Sequence, residues 1–433
     1  MIMDAGSDLM NYLESDDFIK KLPKLYGKNV HIEYQLKRYG NIIDFYKEIY
    51  GNYIGNSIAL YSTSGRTELA GNHTDHNRGR VIAASIDLDT IGVACRCPGS
   101  IISLVSQGFA PVNIDIGDLS VHPNEAGTTL ALVRGIAAGF VKRGFRIGSF
   151  KAVTSTNVPK GSGLSSSAAI EMLCATMLND MYNDNTLDTI EMAVICQEAE
   201  NMYFGKPCGL MDQIACGYGG IVEIDFLSSD GVTVSPITND IASFGYDIVI
   251  VDTKKDHADL QEAYAAIPRE MKDVAKLMEK TVLGEVSPQD YYASIRILRN
   301  KLENDRALLR AHHFFFENER VTHMADALRS GDFIKYLYLV QQSGNSSFMF
   351  LQNLYENNHW KSQSLPLALA VSERLLHDRG AFRVHGGGFA GTIQAYVPKE
   401  LTCSYTSAME KLFGPGCVQN ITIRELPSAR LNC

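Results

Sequence analysis

A glycine- and serine-rich string carries the densest set of groups suited to an anion: Val158-Pro159-Lys160-Gly161-Ser162-Gly163-Leu164-Ser165-Ser166-Ser167-Ala168-Ala169. Gly161 and Gly163 bring no Cβ, so backbone N–H groups at these points can come close to a ligand. An apolar pattern of Ile170, Leu173, Met177 and Leu178 predicts a helix over Ser167 to Tyr182. The first N–H groups of that helix have no internal partner and point outward. Loop and helix start together make a cradle for phosphate. The serine hydroxyls could add bonds to phosphate oxygens or to a metal ion. The string is neither of the common phosphate loops. No lysine follows the second glycine, and Ser166 stands where the dinucleotide fingerprint needs its third glycine.

Transfer of a phosphoryl group from ATP needs more than a cradle. It needs Mg²⁺, a positioned hydroxyl and neutralisation of the moving charge. Mg²⁺ prefers hard oxygen ligands and keeps several waters, so one hydroxyl and one carboxylate are enough. Ser167 and Glu200 are candidates. Asp212, in the loop Gly205-Lys206-Pro207-Cys208-Gly209-Leu210-Met211-Asp212-Gln213, is a candidate base or orienting carboxylate. Arg66 could offset charge on that carboxylate and on the phosphoryl group. It opens a second polar run, Arg66-Thr67-Glu68-Leu69-Ala70-Gly71-Asn72-His73-Thr74-Asp75-His76-Asn77, able to make several directed hydrogen bonds.

These residues need elements to hold them. Residues 1 to 50 read as amphipathic helix. Strands are expected at Ile58–Ser62, Val81–Ile86, Thr90–Cys95, Ser103–Ser106, Val112–Ile116 and Phe150–Ser155. Helices are expected at Thr128–Arg143 and over 187–203, which carries Glu200. Ile221–Phe226 reads as a strand, and 221–240 as the crossing into a second domain. That half shows strands Tyr246–Asp252 and Ile393–Val397, with long helices over 258–280, 289–308 and 317–358.

A chain of 433 residues exceeds one ordinary core, so two domains are expected, 1–230 and 231–433. Hydrophobic residues are 45% and charged residues 21%, as in a soluble globular protein. A net charge of −9 with no basic run argues against nucleic acid. Apolar runs are strand length, so no membrane partner is expected, and the N-terminus lacks a secretory pattern. Nine scattered cysteines without metal spacing read as reduced thiols of a cytoplasmic protein.

The glycine–serine string resembles the P-x-G-x-G-L-S-S-S-A motif of the GHMP small-molecule kinases. Within that family the chain is most similar to the galactokinases. Their G-R-V-N-L-I-G-E-H-T-D-Y-N signature resembles Gly65 to Asn77, and a C-terminal signature resembles Gly386-Gly387-Gly388-Phe389-Ala390-Gly391. Cys208 to Gln213 looks like the family's C-G-x-M-D-Q, whose Asp is the catalytic base. Twelve residues before that Asp, where the family carries its metal-binding Glu, stands Glu200. The family's sugar-contacting Tyr follows a His by seven positions, as Tyr264 follows His257.

The resemblance covers roughly residues 45 to 398 and implies an α+β fold of two domains with the active site in the cleft between them. It implies a sugar 1-kinase, most simply one that makes galactose 1-phosphate from galactose, with ATP as co-substrate and Mg²⁺ as cofactor. Arg66 and Asp212 would be catalytic. Asn72, His73, Thr74, Asp75 and Tyr264 would bind the sugar. Gly161, Ser162, Gly163, Leu164, Ser165, Ser166 and Ser167 would bind ATP, and Ser167 with Glu200 would hold the metal. The partners would be the two small molecules, in a monomer or weak homo-oligomer. Four positions depart from the family's pattern. Asn72 replaces its Glu, Glu68 its Asn, His76 its Tyr and Ser64 its Pro. An Asn forms a weaker, uncharged hydrogen bond than a Glu. A kinase for galacturonate, N-acetylgalactosamine or arabinose, and a non-catalytic sugar and ATP sensor, are the alternatives.

Overall fold

The structure is a computed structural model that describes residues 5–51, 58–228, 231–255, 260–356 and 360–432. Its largest element is an eight-stranded sheet. The strands are β1 (Ala59–Ala70), β2 (Arg80–Arg96), β3 (Ile101–Ser106), β4 (Val112–Asp115), β5 (Phe150–Thr156), β6 (Ile221–Asp225), β7 (Thr233–Ile237) and, from far along the chain, Ala429–Arg430. β2 runs through the two strands expected at 81–86 and 90–95 without a break. It pairs with β1 along one side. On the other side, Arg80–Ala84 pair with β6 and Thr90–Arg96 with β5.

Side chains alternate across this sheet, and both faces are covered. Tyr61, Ala94 and Ala152 point to the helices Thr129–Lys142, Ser166–Asn183, Thr189–Ala199 and Met211–Tyr218, where Leu173, Met177, Ile195 and Ile214 fill the core. Their chain neighbours Leu60, Val93 and Val153 point the other way. They meet Phe18, Leu22, Tyr39 and Ile43 of the N-terminal helices Ala5–Leu13, Asp16–Tyr26 and Ile32–Tyr50.

A second, antiparallel sheet holds β8 (Tyr246–Asp252), β9 (Ala381–His385), β10 (Thr392–Pro398) and β11 (Val418–Ile421), in the order β11-β8-β10-β9. One face packs under Ser364–Leu376 and Thr402–Phe413. The other face shares a core with the first sheet. Ile248, Ile250 and Tyr396 join Leu69, Ile82 and Ala84 through Val321, Met324 and Tyr336. The fold is therefore α+β in two layered parts. A division at 230 and 231 does not separate the sheets cleanly, because β7 pairs with β6 and the strand Ala429–Arg430, here β12, pairs with β1.

The helices of the second part differ from the expected spans of 289–308 and 317–358. They run Pro288–Leu302, Asp305–Ser330 and Phe333–Ser346, the last continued by a π turn at Ser347–Leu351. Local caps set the breaks. Asn304 accepts from the Ala307 N–H, Asp332 accepts from the Lys335 N–H, and Gly331 ends a helix at φ 75°. The apolar periodicity runs across these joints, which is why it does not reveal them.

Asp89, in the middle of β2 and fully buried, ties the layers together. Its carboxylate accepts from Tyr26 Oη at 2.7 Å, from Ser62 Oγ at 2.6 Å and from the Arg38 guanidinium, and it lies 3.6 Å from Arg424 Nη1. Its backbone N–H donates to Asn157 Oδ1 at 2.6 Å, just ahead of the glycine–serine loop. Asp89→Ala would leave two buried guanidinium groups without their counter-charge. It should cost about 3–5 kcal/mol, read as a lower urea midpoint; an unchanged midpoint would show that Asp89 contributes nothing to the fold.

Candidate active site

The glycine–serine loop folds as its sequence requires. Gly161 and Gly163 take φ 76° and 71°. At Gly163 a Cβ would also come within 3.1 Å of Thr392 Oγ1 and 3.2 Å of His385 Nδ1, so the site excludes side chains twice over. Leu164 is buried and anchors the loop, and Ser162 Oγ donates to Pro159 O at 2.7 Å. Ser165 holds φ 60°, a left-handed value that costs a non-glycine residue energy. That turn aims its hydroxyl at Asp212, to which it donates. The helix then begins at Ser166.

Arg66 lies on β1 between two irregularities in the β1–β2 register, at Ser64/Arg66 and Glu68/Ala70. Its Nε donates to Asp212 Oδ1 at 2.8 Å and its Nη2 to Oδ2 at 2.7 Å, a bidentate pair. Its Nη1 donates to Gly163 O, and its backbone N–H to Leu164 O at 3.1 Å. The arginine thus binds the loop and the carboxylate at once. Burial alone would raise the Asp212 carboxyl, but the Arg66 charge and the bonds from Ser165 and Arg66 outweigh it and hold it below the usual carboxylate value. Asp212 is second in the helix Met211–Tyr218, where the free N–H groups also favour the anion.

Glu200 begins a π turn, Glu200–Phe204, and is almost fully buried. Its Oε1 accepts from Lys206 Nζ at 3.2 Å and its Oε2 from Gln213 Nε2 at 3.1 Å. The same Gln213 Nε2 donates to Glu171 Oε2 at 3.1 Å. Burial, reinforced by the Glu200 charge, pushes the Glu171 carboxyl well above its ordinary value. The residues fit a hard divalent ion. Glu200, buried beside the cleft, presents a carboxylate oxygen already facing Lys206, and Lys206 and Ser167 line the cleft, the latter with a hydroxyl. Among the described residues no cluster of three acidic, His or Cys side chains competes for it.

The cleft has a volume of about 1680 Å³, more than one small ligand fills. Arg66, Asp75, Gly161, Gly163, Ser165, Ser166, Ser167, Asp212 and Tyr264 line it. Asp75 crowds Gly209 so closely that a Cβ there would sit 1.8 Å from Asp75 Oδ2. Tyr264 packs over Gly387 and lies 3.4 Å from His76 Nε2 through its hydroxyl. His257, the residue whose spacing to Tyr264 matches the family's pattern, lies outside the described residues.

Asn72, His73 and Thr74 are placed differently, in the wall behind the cleft. Thr74 Oγ1 donates to the carbonyls of Gly71 and Arg80, and His73 Nε2 donates to Gly387 O at 2.9 Å. Burial lowers the His73 pKa to about 3, so the ring is neutral. Asn72 is fully buried. Its Nδ2 donates to Glu68 Oε1 at 3.1 Å and to Gly386 O at 2.7 Å, and its Oδ1 accepts from Asn353 Nδ2 at 2.8 Å. Arg383 pairs with the same Glu68 carboxylate. The two departures at 68 and 72 are thus in contact: amide and carboxylate have exchanged places across one hydrogen bond. The sequence reading took them singly, and their spacing of four on a bulged strand and turn gave no sign of the contact. Gln213 closes the Cys208–Gln213 motif without an assigned role, and Glu171 and His385 carry no signal of their own in the sequence; all three are buried.

The chain is similar to known proteins in sequence and in fold. The family model for the galactokinase galactose-binding signature matches residues 44–96, and that for the N-terminal domain of GHMP kinases matches 131–220. A galactokinase of Limosilactobacillus fermentum is 31% identical over 349 residues, covering 79% of this chain and 86% of its own. One from Streptomyces coelicolor is 28% identical over 393 residues, covering 90% and 97%. Among solved structures, Lactococcus lactis galactokinase complexed with galactose superposes with a TM-score of 0.76 at 23% identity, covering 89% of this chain and 98% of that one. Methanococcus jannaschii mevalonate kinase superposes at 0.60 with 16% identity, covering 85% and 99%.

The exchanged pair makes a testable statement. Asn72→Glu alone would set two carboxylates in one buried site and lower the urea midpoint. Glu68→Asn alone would strip Arg383 of its counter-charge. The double exchange should recover most of the loss, with a coupling energy of about 1–3 kcal/mol across the four proteins. Additive effects would show that the two sites do not act as a pair.

Proposed function

Because the chain belongs to the galactokinases of the GHMP kinase family, we propose that its cleft transfers the γ-phosphoryl group of ATP to the C1 hydroxyl of galactose, with Asp212 and Arg66 at the reacting atoms. The observation that carries this reading is the bidentate Arg66–Asp212 pair set directly against the glycine–serine loop. ATP phosphates lie against the N–H groups of Gly161 to Ser167 and the start of the helix at Ser166. Asp75 and Tyr264 hold the sugar from the other side of the cleft, and the buried shell of Asn72, His73 and Thr74 shapes that side from behind. Mg²⁺, held by Ser167 and Glu200, would neutralise charge on the phosphates.

Asp212 orients the acceptor hydroxyl and takes its proton. Arg66 and Ser165 together fill both lone pairs of Oδ2, while Oδ1 accepts only from Arg66 Nε and keeps one lone pair for the acceptor hydroxyl on a residue that lines the cleft. A carboxylate held below its usual pKa is a weak base. It therefore receives the proton late, when bonding to phosphorus has made the hydroxyl acidic. This suits the loose transition state of phosphoryl transfer, in which the nucleophile carries little negative charge. Arg66 spans Asp212 and the loop, so its charge lies beside the path of the phosphoryl group.

Asp212→Asn keeps the shape and removes the charge. Its kcat for galactose should fall about 10²–10⁴-fold, while the KM for ATP stays within a few-fold of wild type. Turnover near wild type would remove Asp212 from the reaction.

The pH profile tests the role of Arg66. A depressed pKa keeps Asp212 ionised down to low pH, so wild-type kcat/KM should show no acid limb from this group above about pH 4. In Arg66→Met the burial of Asp212 loses its largest opposing influence and its pKa rises, so the residual activity should fall on acidification from a higher pH. A profile of unchanged shape would mean that Arg66 does not set the charge state of the base.

A further inference from the structure

Glu171 and Gln213 are buried polar residues that the transfer step itself does not use. Both meet beneath Glu200. Gln213 Nε2 sits 3.1 Å from Glu171 Oε2 and 3.1 Å from Glu200 Oε2. Glu171 is 1% exposed and Gln213 fully buried. Glu171 Oε1 and Gln213 Oε1 have no hydrogen-bond partner among the described residues. Two buried acceptors left unsatisfied cost free energy that an apolar pair would not, so packing alone does not account for them.

Their positions along the chain are as informative as their contacts. Glu171 follows Ser167 by four residues in one helix, which puts both on the same face. Gln213 follows Asp212 directly and shares its helix. Glu200 belongs to a π turn, a rare irregularity that is frequent at functional sites. The bonds of Gln213 therefore join three separate segments, carrying Ser167, Glu200 and Asp212.

We propose that Gln213, anchored by Glu171, is a positioning residue that fixes the Glu200 carboxylate, directing Oε1 to the divalent ion and holding the metal site in register with Asp212. The inference rests on the reading of Glu200 as a metal ligand given above. Gln213 holds Oε2 by one bond and so fixes the rotation of the carboxylate, which leaves Oε1 facing Lys206 Nζ at 3.2 Å. Lys206 is well exposed and can swing away when a divalent ion arrives. Outer partners of this kind are worth about 10–100-fold in metal affinity.

The test compares affinity for a non-hydrolysable ATP analogue with and without Mg²⁺, by calorimetry, in wild type, Glu200→Gln, Glu171→Gln, Glu171→Met and Gln213→Met. The readout is the ratio of the two affinities. Glu171→Met and Gln213→Met should reduce that ratio about tenfold with little change in metal-free affinity. Glu171→Gln keeps an oxygen acceptor for Gln213 and should stay near wild type. A purely structural role would lower both affinities together and leave the ratio intact, overturning the proposal. A fall in Glu171→Gln as deep as in Glu200→Gln would also overturn it, since Glu171 would then act through its own charge. If Glu200→Gln itself leaves the ratio unchanged, the metal-ligand reading fails first. Should Glu171→Met fail to fold, Gln213→Met carries the same comparison.

Discussion

One buried ion pair sets the geometry of the cleft. Arg66 and Asp212 come from a strand and a helix far apart in the chain, and both are committed by their bond to each other. Desolvating two charges is expensive, and the cost is recovered only when their geometry is good and every remaining donor is used. Here the third nitrogen of Arg66 reaches Gly163 O, and Ser165 adds a hydroxyl to Asp212. The loop is thus held by the pair that it serves. Its left-handed residues, the two register irregularities of β1 and the helix start at Met211 all follow from bringing these two side chains together.

Much of the site is legible in the sequence, because the groups that touch phosphate, metal or reacting atoms are drawn from a short menu. Gly161 and Gly163 announce the loop, and the predicted strand and helix on either side of it are present within a residue or two. Asp212 and Glu200 stand out as carboxylates beside it; Asp212 lines the cleft, and Glu200 is buried next to it, paired with Lys206, which lines it. What lies one layer deeper is not legible. Asp89 looks like any polar residue between two strands, since burial and four convergent donors are tertiary facts. Glu171 reads as the solvated glutamate of a helix. The second part of the chain was misread at its helix ends for a related reason. Apolar spacing reports which face is buried, while the breaks at Glu303 and Gly331 depend on single capping residues.

The pairing of Glu68 with Asn72 shows how a departure from a family pattern should be read. Taken alone, an Asn in place of a Glu suggests a lost contact and an altered acceptor. Seen against Glu68, Arg383 and Asn353, it is half of a reciprocal exchange inside one buried hydrogen-bond network. The buried charge is kept, and Arg383 keeps its partner. The residues of this end that line the cleft are Asp75, His76 and Tyr264, and of these only His76 departs from the family's pattern.

The return of the chain to its first sheet bears on how the protein can be made. Arg424 is buried beside Asp89, Ile423 bridges to Ile86, and Arg430 pairs with Tyr61. During synthesis, β1 and β2 leave the ribosome more than three hundred residues before these partners exist. The first sheet then waits with an unfilled edge, and Asp89 with only Arg38 of its two buried guanidinium partners. Contacts of such long sequence separation slow folding and prolong the life of exposed apolar strands. The N-terminal half should therefore be a poor independent folder, and a ribosome-stalled chain that stops before residue 424 should be a natural client for chaperones.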